Sequence, residues 1–152
     1  MNIQDLISIS ILLLQSIPLI LFLITRKTYH LIIFIVFMSV AKITDFIKDN
    51  EIISSSRRPN GAFNCNLLCN DGSRKDKPGM PSSHAASAIF FLIVYWNYTS
   101  SPYIRALLVI YYLLILQSRY YKKCHSLSQL LVGSLIGMAV GFTLNHYKAR
   151  LL

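Results

Sequence analysis

The sequence predicts an all-α integral membrane protein, a compact bundle of about five transmembrane helices, on two observations. Of its 152 residues, 54% are hydrophobic and only 14% are charged, whereas soluble domains carry about a quarter charged residues. The apolar residues are also gathered into five stretches, and a helix needs about 20 such residues to span a bilayer. At this length we expect one domain, residues 1–152.

The five apolar stretches predict the helices in chain order. They cover residues 6–24, 31–47, 85–98, 104–117 and 127–144. The third and fourth are short for a membrane span unless their flanks are included. In the fifth, Gly133, Gly137 and Gly141 recur every four residues and so share one helix face. Small residues let helix backbones approach closely, and we expect a packing seam there.

The polar segment 48–83 is the long loop of the chain, and its glycines, prolines and asparagines are typical of turns. A loop of this length in a small protein is usually functional or disordered. With five spans, this loop lies on the same side as the turn after the fourth helix. The polar residues of both would then meet at one membrane face, where we expect the active site.

The net charge of +9 could indicate a nucleic-acid partner. The basic residues fall instead in short groups between apolar runs, so we predict contact with membrane lipids and none with nucleic acid. Cys65 and Cys69 could form a disulfide or remain free thiols, and Cys124 stands apart. No cluster supplies the four ligands of a zinc site or the carboxylates of a magnesium site. The sequence leaves the oligomeric state open.

The segment 79–84 leads directly into the third helix. Ser82 is a preferred helix cap, and the unpaired N–H groups of a first helical turn bind phosphate. His84 in that turn could donate a proton to a leaving oxygen. The alternative is a capped helix with an interfacial histidine.

A second polar group follows the fourth helix. The planar guanidinium of Arg119 suits bidentate contact with a phosphate. His125 opens the fifth helix, where the helix dipole disfavours the imidazolium, and attack by a neutral imidazole on phosphorus would give a phosphohistidine. Gln129 is one turn further on the same face. Separately, Arg119 and His125 could be ordinary interfacial side chains.

Together these residues resemble the signature of the type 2 phosphatidic acid phosphatase superfamily over roughly residues 45–145. Three motifs carry the resemblance: Arg58-Pro59, Pro-Ser-Ser-His at 81–84, and Ser118-Arg119 followed after five residues by His125. The forms Gly-Met-Pro-Ser-Ser-His at 79–84 and His-Ser-Leu-Ser-Gln at 125–129 are most similar to the dolichyl diphosphatase branch. The resemblance implies a lipid phosphatase that needs no metal or other cofactor. It implies a polyprenyl diphosphate as substrate, with phosphatidic acid or another lipid phosphate as the alternative. A catalytically weak homologue that binds phospholipid headgroups or acts as a scaffold is the third possibility.

The resemblance also implies roles for individual residues. His125 would be the nucleophile, and His84 would protonate the departing lipid oxygen. Four residues would hold the phosphate: Arg58, Arg119, Ser82 and the backbone of Ser83. The arginines would supply the positive charge that a phosphoryl transition state requires.

Two positions depart from the family pattern. The lysine of the first motif falls on Glu51, so we expect Lys48, one turn earlier, or the adjacent Arg57 to replace it, and favour Lys48. The aspartate that usually ends the third motif is Gln129, whose carbonyl could accept the His125 ring N–H but offers no charge.

The location of the site follows from the resemblance. It implies the endoplasmic reticulum or a similar membrane, with the site lumenal or exoplasmic, whereas the positive-inside rule alone would make that side cytoplasmic. On the opposite side, Asn97 lies in a glycosylation sequon. Lys42 and Asp45, three residues apart near the end of the second helix, are a candidate ion pair with either a functional or an interfacial role.

Overall fold

The structure, a computed structural model, describes residues 3–63, 65 and 78–151. Its fold consists of five helices: α1 (Ile3–Thr25), α2 (Thr28–Asp49), α3 (Ser83–Tyr98), α4 (Pro102–Tyr121) and α5 (Leu127–Leu151). Each predicted stretch forms a helix, and each helix is longer than the apolar run that predicted it. The all-helical prediction is confirmed for the described part of the chain.

Three of the helices are long and apolar enough to cross a membrane: α1, α2 and the segment Leu127–Lys148 of α5. The prediction of about five spans is therefore supported for three helices. With 16 residues, α3 is about 24 Å long at 1.5 Å per residue, which is less than the roughly 30 Å of a bilayer's hydrocarbon. Helix α4 carries polar side chains near both ends, notably Arg105, Gln117 and Arg119.

Helix α3 is the centre of the bundle and packs against α2, α4 and, most extensively, α5. Its buried aromatic and aliphatic residues form the core with the inward faces of α2 and α4, for example where Phe37 stacks on Phe90 at 5.6 Å between ring centroids. The alanines in its first turns are almost completely buried. Small side chains at these positions allow neighbouring backbones to approach α3 closely.

The predicted glycine seam is confirmed between α5 and α3. A Cβ on Gly137 would lie 2.0 Å from the carbonyl oxygen of Ala86, and one on Gly133 would lie 2.4 Å from that of Ser82. At these two positions only glycine fits, because the neighbouring atoms belong to backbone. The seam thereby presses the amino-terminal end of α3 against that of α5.

The predicted loop 48–83 is helical at both ends, since α2 continues to Asp49 and α3 begins at Ser83. Arg57 and Pro78 form an isolated antiparallel bridge, and the Gly79 N–H donates to the Ser56 carbonyl at 2.8 Å. These bonds close the base of the loop. Residues 64 and 66–77 lie outside the described part.

Cys65 is bonded to Cys124, with 5.5 Å between their Cα atoms. The predicted alternatives, free thiols or a bond from Cys65 to Cys69, were therefore wrong for Cys65, and Cys69 lies outside the described residues. The loop reaches Cys124 because the Phe63 N–H donates to the Lys122 carbonyl at 3.2 Å. The two cysteines are 59 residues apart in the chain, and no local pattern in the sequence indicated that they pair.

Candidate functional site

The site begins at the amino terminus of α3. Ser82 is fully buried and caps the helix by accepting the Ala85 N–H at 3.4 Å. Its own N–H donates to the Gln129 carbonyl at 3.2 Å, which fixes this end of α3 to α5. The hydroxyl of Ser83 bonds to the Asp45 carboxylate and lies 3.3 Å from the Lys48 ammonium.

Lys48, rather than Glu51, reaches the α3 terminus from α2. Its side chain is buried and forms an ion pair with Asp45, whereas Glu51 is exposed and has a positive φ of 53° in the turn after the helix. The expected pair between Lys42 and Asp45 was wrong. Lys42 is exposed, and the Asp45 carboxylate is directed at Lys48 and Ser83, which lie toward the end of the bundle that carries the site.

The two predicted phosphate-binding arginines are both buried. Arg58 donates from Nη1 to the Cys124 carbonyl at 3.0 Å. Arg119 donates from Nη1 to the Ser8 hydroxyl at 2.6 Å. Lys122, which follows α4, is buried beside them. A group of three buried cations suits an anion such as phosphate.

His125 is buried in the turn before α5, and its ring orientation is fixed. The Nδ1 atom lies 2.8 Å from the Gly79 carbonyl oxygen. A carbonyl can only accept, so Nδ1 carries the proton and Nε2 keeps its lone pair. Burial lowers the pKa of His125 well below its usual range, and the Arg119 and Arg58 cations lower it further. The imidazole is therefore neutral near pH 7.

Gln129 does not make the predicted contact with the His125 ring. Its Oε1 accepts the Ser126 N–H at 3.0 Å, and its Nε2 donates to the Arg57 carbonyl at 2.8 Å and to the Ser56 hydroxyl at 2.9 Å. The amide therefore connects α5 to the base of the loop. The reason for the difference is that the Gly79 carbonyl already accepts the ring N–H.

Gly79 lies between Gln129 and His125. A Cβ on Gly79 would be 2.6 Å from the Gln129 Oε1 atom, so the amide packs directly against this glycine. The carbonyl of the same residue accepts from His125. Gln129 thus supports the group that orients the imidazole without contacting the imidazole itself.

His84 is half-buried in the first turn of α3. It is close enough to His125 to contribute to the lowered pKa of that residue, as Lys48 also does. The fold thus gathers at one end of the bundle the residues that the sequence predicted: Lys48, Arg58, Ser82, Ser83, His84, Arg119, His125 and, behind them, Gln129. Within the described residues, no three His, Cys, Asp or Glu side chains are grouped as metal ligands would be.

Sequence reasoning missed the part of the site that α1 provides. Asp5 forms a buried ion pair with Lys122 at 3.0 Å, and Ser8 accepts from Arg119. The available signal was weak: two polar residues three apart, on one face of an otherwise apolar helix.

The arrangement agrees with a sequence comparison. The sequence model of the PAP2 superfamily matches residues 28–151, which include α2 to α5 and every predicted site residue. The chain belongs to the PAP2 superfamily. Members of this superfamily are phosphatases, so membership implies a phosphatase-type activity, in general that of a phosphoric ester hydrolase. Helix α1 precedes the matched range. Comparisons with curated proteins and with solved structures give no match.

Proposed function

We propose that this PAP2 protein is a membrane lipid phosphatase that acts through a phosphohistidine on Nε2 of His125. The observation that carries the proposal is the bond from Nδ1 of His125 to the Gly79 carbonyl. It leaves a neutral ring nitrogen with a free lone pair in a buried cluster of cations, as a nucleophile directed at phosphorus requires.

The phosphate is held by Arg58 and Arg119, assisted by Lys48 and the amino terminus of α3. Arg119 uses one nitrogen for Ser8, and a guanidinium has five N–H donors, so several remain for phosphate oxygens. These fixed charges stabilise the equatorial oxygens as the transition state forms.

The reaction proceeds in two steps. In the first, His84 is protonated beside the bound phosphate, whose negative charge offsets the burial and the cations that lower the pKa of this histidine. The bond between Nε2 of His125 and phosphorus forms, the bond from phosphorus to the leaving oxygen breaks, and His84 gives its proton to that oxygen. In the second, the now neutral His84 takes a proton from water, the oxygen of that water attacks phosphorus, and the bond to Nε2 breaks. Inorganic phosphate leaves and both histidines return to their initial states.

The preferred substrate is a polyprenyl diphosphate of the dolichyl type, which is hydrolysed to the monophosphate. The motif forms at 79–84 and 125–129 support this choice over phosphatidic acid or another lipid phosphate. A role in binding phospholipid headgroups without catalysis is the rival proposal.

We place the site on the lumenal or exoplasmic face of the endoplasmic reticulum or a similar membrane. The Cys65–Cys124 disulfide supports that side, because disulfides persist in oxidising compartments.

Gln129 takes the place of the usual aspartate in an indirect way. Its amide supports Gly79, whose carbonyl fixes the tautomer of His125. A carbonyl carries less negative charge than a carboxylate, so it does less to raise the basicity of the ring. The chain thereby keeps the orientation of the nucleophile while forgoing the carboxylate.

The test is phosphate release by detergent-purified protein in excess chelator, with polyprenyl diphosphate and phosphatidic acid offered side by side. We expect release with both, a higher kcat/KM for the diphosphate, and protein-bound phosphate during turnover. His125→Ala should abolish release and labelling, and His84→Ala should slow release by about 10²–10⁴-fold.

His146→Ala is the matched control, since this histidine is exposed near the other end of α5, and it should keep full activity. If folded protein cleaves neither lipid, the catalytic proposal fails and headgroup binding replaces it. If His125→Ala keeps its rate, His125 is not the nucleophile and the phosphohistidine mechanism is refuted. A higher kcat/KM for phosphatidic acid would overturn the substrate assignment alone.

A further inference from the structure

The carboxylate of Asp45 joins the end of α2 to the start of α3. It accepts hydrogen bonds from two groups, the Lys48 ammonium on its own helix and the Ser83 hydroxyl on the neighbouring helix. The Lys48 Nζ atom also lies 3.3 Å from the Ser83 hydroxyl oxygen, so each of the three side chains contacts the other two. These three residues are the α2–α3 cluster.

The hydrogen bonds of the α2–α3 cluster have fixed directions. A carboxylate only accepts and an ammonium only donates, so the Ser83 hydroxyl donates its proton to Asp45 and accepts from Lys48. The Ser83 side chain therefore has no proton left for a phosphate oxygen, and this residue can donate to phosphate only through its backbone N–H. The ammonium of Lys48 has three N–H donors, and the cluster uses two of them.

The third donor of Lys48 lies at the candidate site. The Lys48 side chain is only 10% exposed, whereas that of Asp45 is 47% exposed. After burial and Arg119, the Lys48 charge is the next cause that lowers the pKa of His84, so the ammonium lies near that imidazole. The cluster thus places a buried ammonium, with one donor that the cluster does not use, beside a residue of the site.

A lysine benefits from such a restraint because its side chain is long and flexible. Ordering a four-carbon stem at the moment of binding costs conformational entropy. A carboxylate three residues earlier lies on the same helix face and can hold the ammonium beforehand. Affinity rises when the groups that bind a ligand are already ordered.

The carboxylate also opposes a phosphate through its own charge. Solvent screens the half-exposed Asp45 more effectively than the buried ammonium that it holds. The gain from holding Lys48 in place should therefore exceed the loss from repulsion.

We propose that Asp45 is a positioning residue of the phosphate site, which holds the Lys48 ammonium at the amino terminus of α3 so that its remaining N–H donor binds a phosphate oxygen. The proposal rests on the proposed function for the location of the phosphate. It adds a residue that lies in none of the three motifs. Asp45 acts through Lys48 and does not contact the phosphate.

The decisive experiment is a double-mutant cycle, with binding of inorganic phosphate to the detergent-purified protein measured by isothermal titration calorimetry. We expect Asp45→Ala and Lys48→Ala each to raise the Kd about tenfold, the effect of losing one hydrogen bond to a charged group. The double variant should bind no more weakly than Lys48→Ala, because a residue that acts through Lys48 has no effect once the ammonium is removed. A carboxylate that only stabilises the fold would not show this dependence.

Two further variants separate position from charge. Asp45→Asn keeps an acceptor oxygen beside Lys48 and should bind phosphate more tightly than Asp45→Ala. Asp49→Ala is the matched control, because it removes an exposed carboxylate from the same end of α2, and it should keep the wild-type Kd. Since position 45 is half-exposed, we expect all these variants to fold.

Steady-state kinetics with a lipid phosphate give an independent measurement. Asp45→Ala should raise KM and leave kcat nearly unchanged, because Lys48 contacts the phosphate before the reaction begins. Asp49→Ala should match the wild type in both constants.

The outcomes separate this proposal from the proposed function. Tighter phosphate binding by Asp45→Ala would overturn the positioning role and show that the carboxylate competes with phosphate for Lys48. An equal loss with and without the Lys48 side chain would also overturn it, since the two residues would then act independently. The expected cycle in a protein that hydrolyses neither lipid would uphold the role of Asp45 and refute the phosphatase.

Discussion

Two pairs of helices form the walls of the candidate site, and a different kind of contact joins the helices of each pair. On one side, α3 and α5 meet backbone to backbone at Gly133 and Gly137. On the other side, α1 contacts the end of α4 through polar groups, where Asp5 pairs with Lys122 and Ser8 accepts from Arg119. Close packing of backbones stabilises the glycine wall, and charged and polar contacts stabilise the α1 wall. Substitutions should therefore destabilise the two walls for different physical reasons.

The two walls also differ in their position relative to the residues that match the family. The glycine wall lies within the matched residues 28–151, and α1 lies before them. The motifs at the starts of α3 and α5 stay side by side only if the two helices keep a fixed register, which close packing provides. The buried cations Arg119 and Lys122 also need partners in the absence of substrate, and in this chain α1 provides them. A helix outside the family match thus supplies partners to buried residues of the candidate site.

The largest expected effect is in the glycine wall. Gly137→Ala places a methyl group 2.0 Å from the Ala86 carbonyl oxygen, and a backbone atom cannot be displaced without separating the helices. We expect little or no folded protein, as measured by the monodisperse fraction in size-exclusion chromatography after mild detergent extraction.

Gly141→Ala is the matched control for that change. Its Cβ would lie 3.1 Å from the Cβ and Cγ2 atoms of Ile93, a mild overlap that a movement of a few tenths of an ångström between the helices relieves. We expect a near-normal yield, because the gain in helix propensity of about 1 kcal/mol offsets the crowding. Equal yields from the two variants would show that the seam is not close-packed.

A smaller effect is expected in the α1 wall. Asp5→Ala leaves the Lys122 ammonium buried without this carboxylate, which should cost about 3–5 kcal/mol of stability. The fall in the thermal unfolding midpoint would be measured in detergent. The double variant Asp5→Leu with Lys122→Met should recover most of the loss, since no unpaired charge remains. If the double variant did not regain the lost stability, close packing rather than charge would be what holds α1 in place.

The smallest effect is expected at Ser8. Ser8→Ala removes the acceptor of the Arg119 Nη1 donor, and hydrogen bonds to charged groups contribute about 1.5–3 kcal/mol. A phosphate can replace the hydroxyl as acceptor, so the loss of Tm should shrink in saturating inorganic phosphate. Ser10→Ala on the same helix is the control, because Ser10 bonds to Ile7 and Tyr111 instead. A loss that phosphate does not reduce would separate Ser8 from the phosphate site.

Much of the site could be predicted because its groups lie in short motifs at helix ends. His84 and His125 each belong to a local pattern, and helix termini bring their own phosphate-binding N–H groups. Lys48, which we favoured over Glu51, is buried in the last turn of α2, whereas Glu51 is exposed in the turn that follows the helix. The contacts of Gln129 were mispredicted, because the competing acceptor on Gly79 is 46 residues from His125.

The amino-acid sequence was enough to predict five helices, the glycine seam and which polar residues lie at one end of the bundle. These follow from apolar period, helix capping and local spacing, which act over a few residues. Tertiary structure alone decided the Cys65–Cys124 bond, the orientation of His125 by the Gly79 carbonyl and the pairing of Asp5 with Lys122. Each of these joins groups far apart in the chain, and such partners are chosen by packing rather than by any local preference.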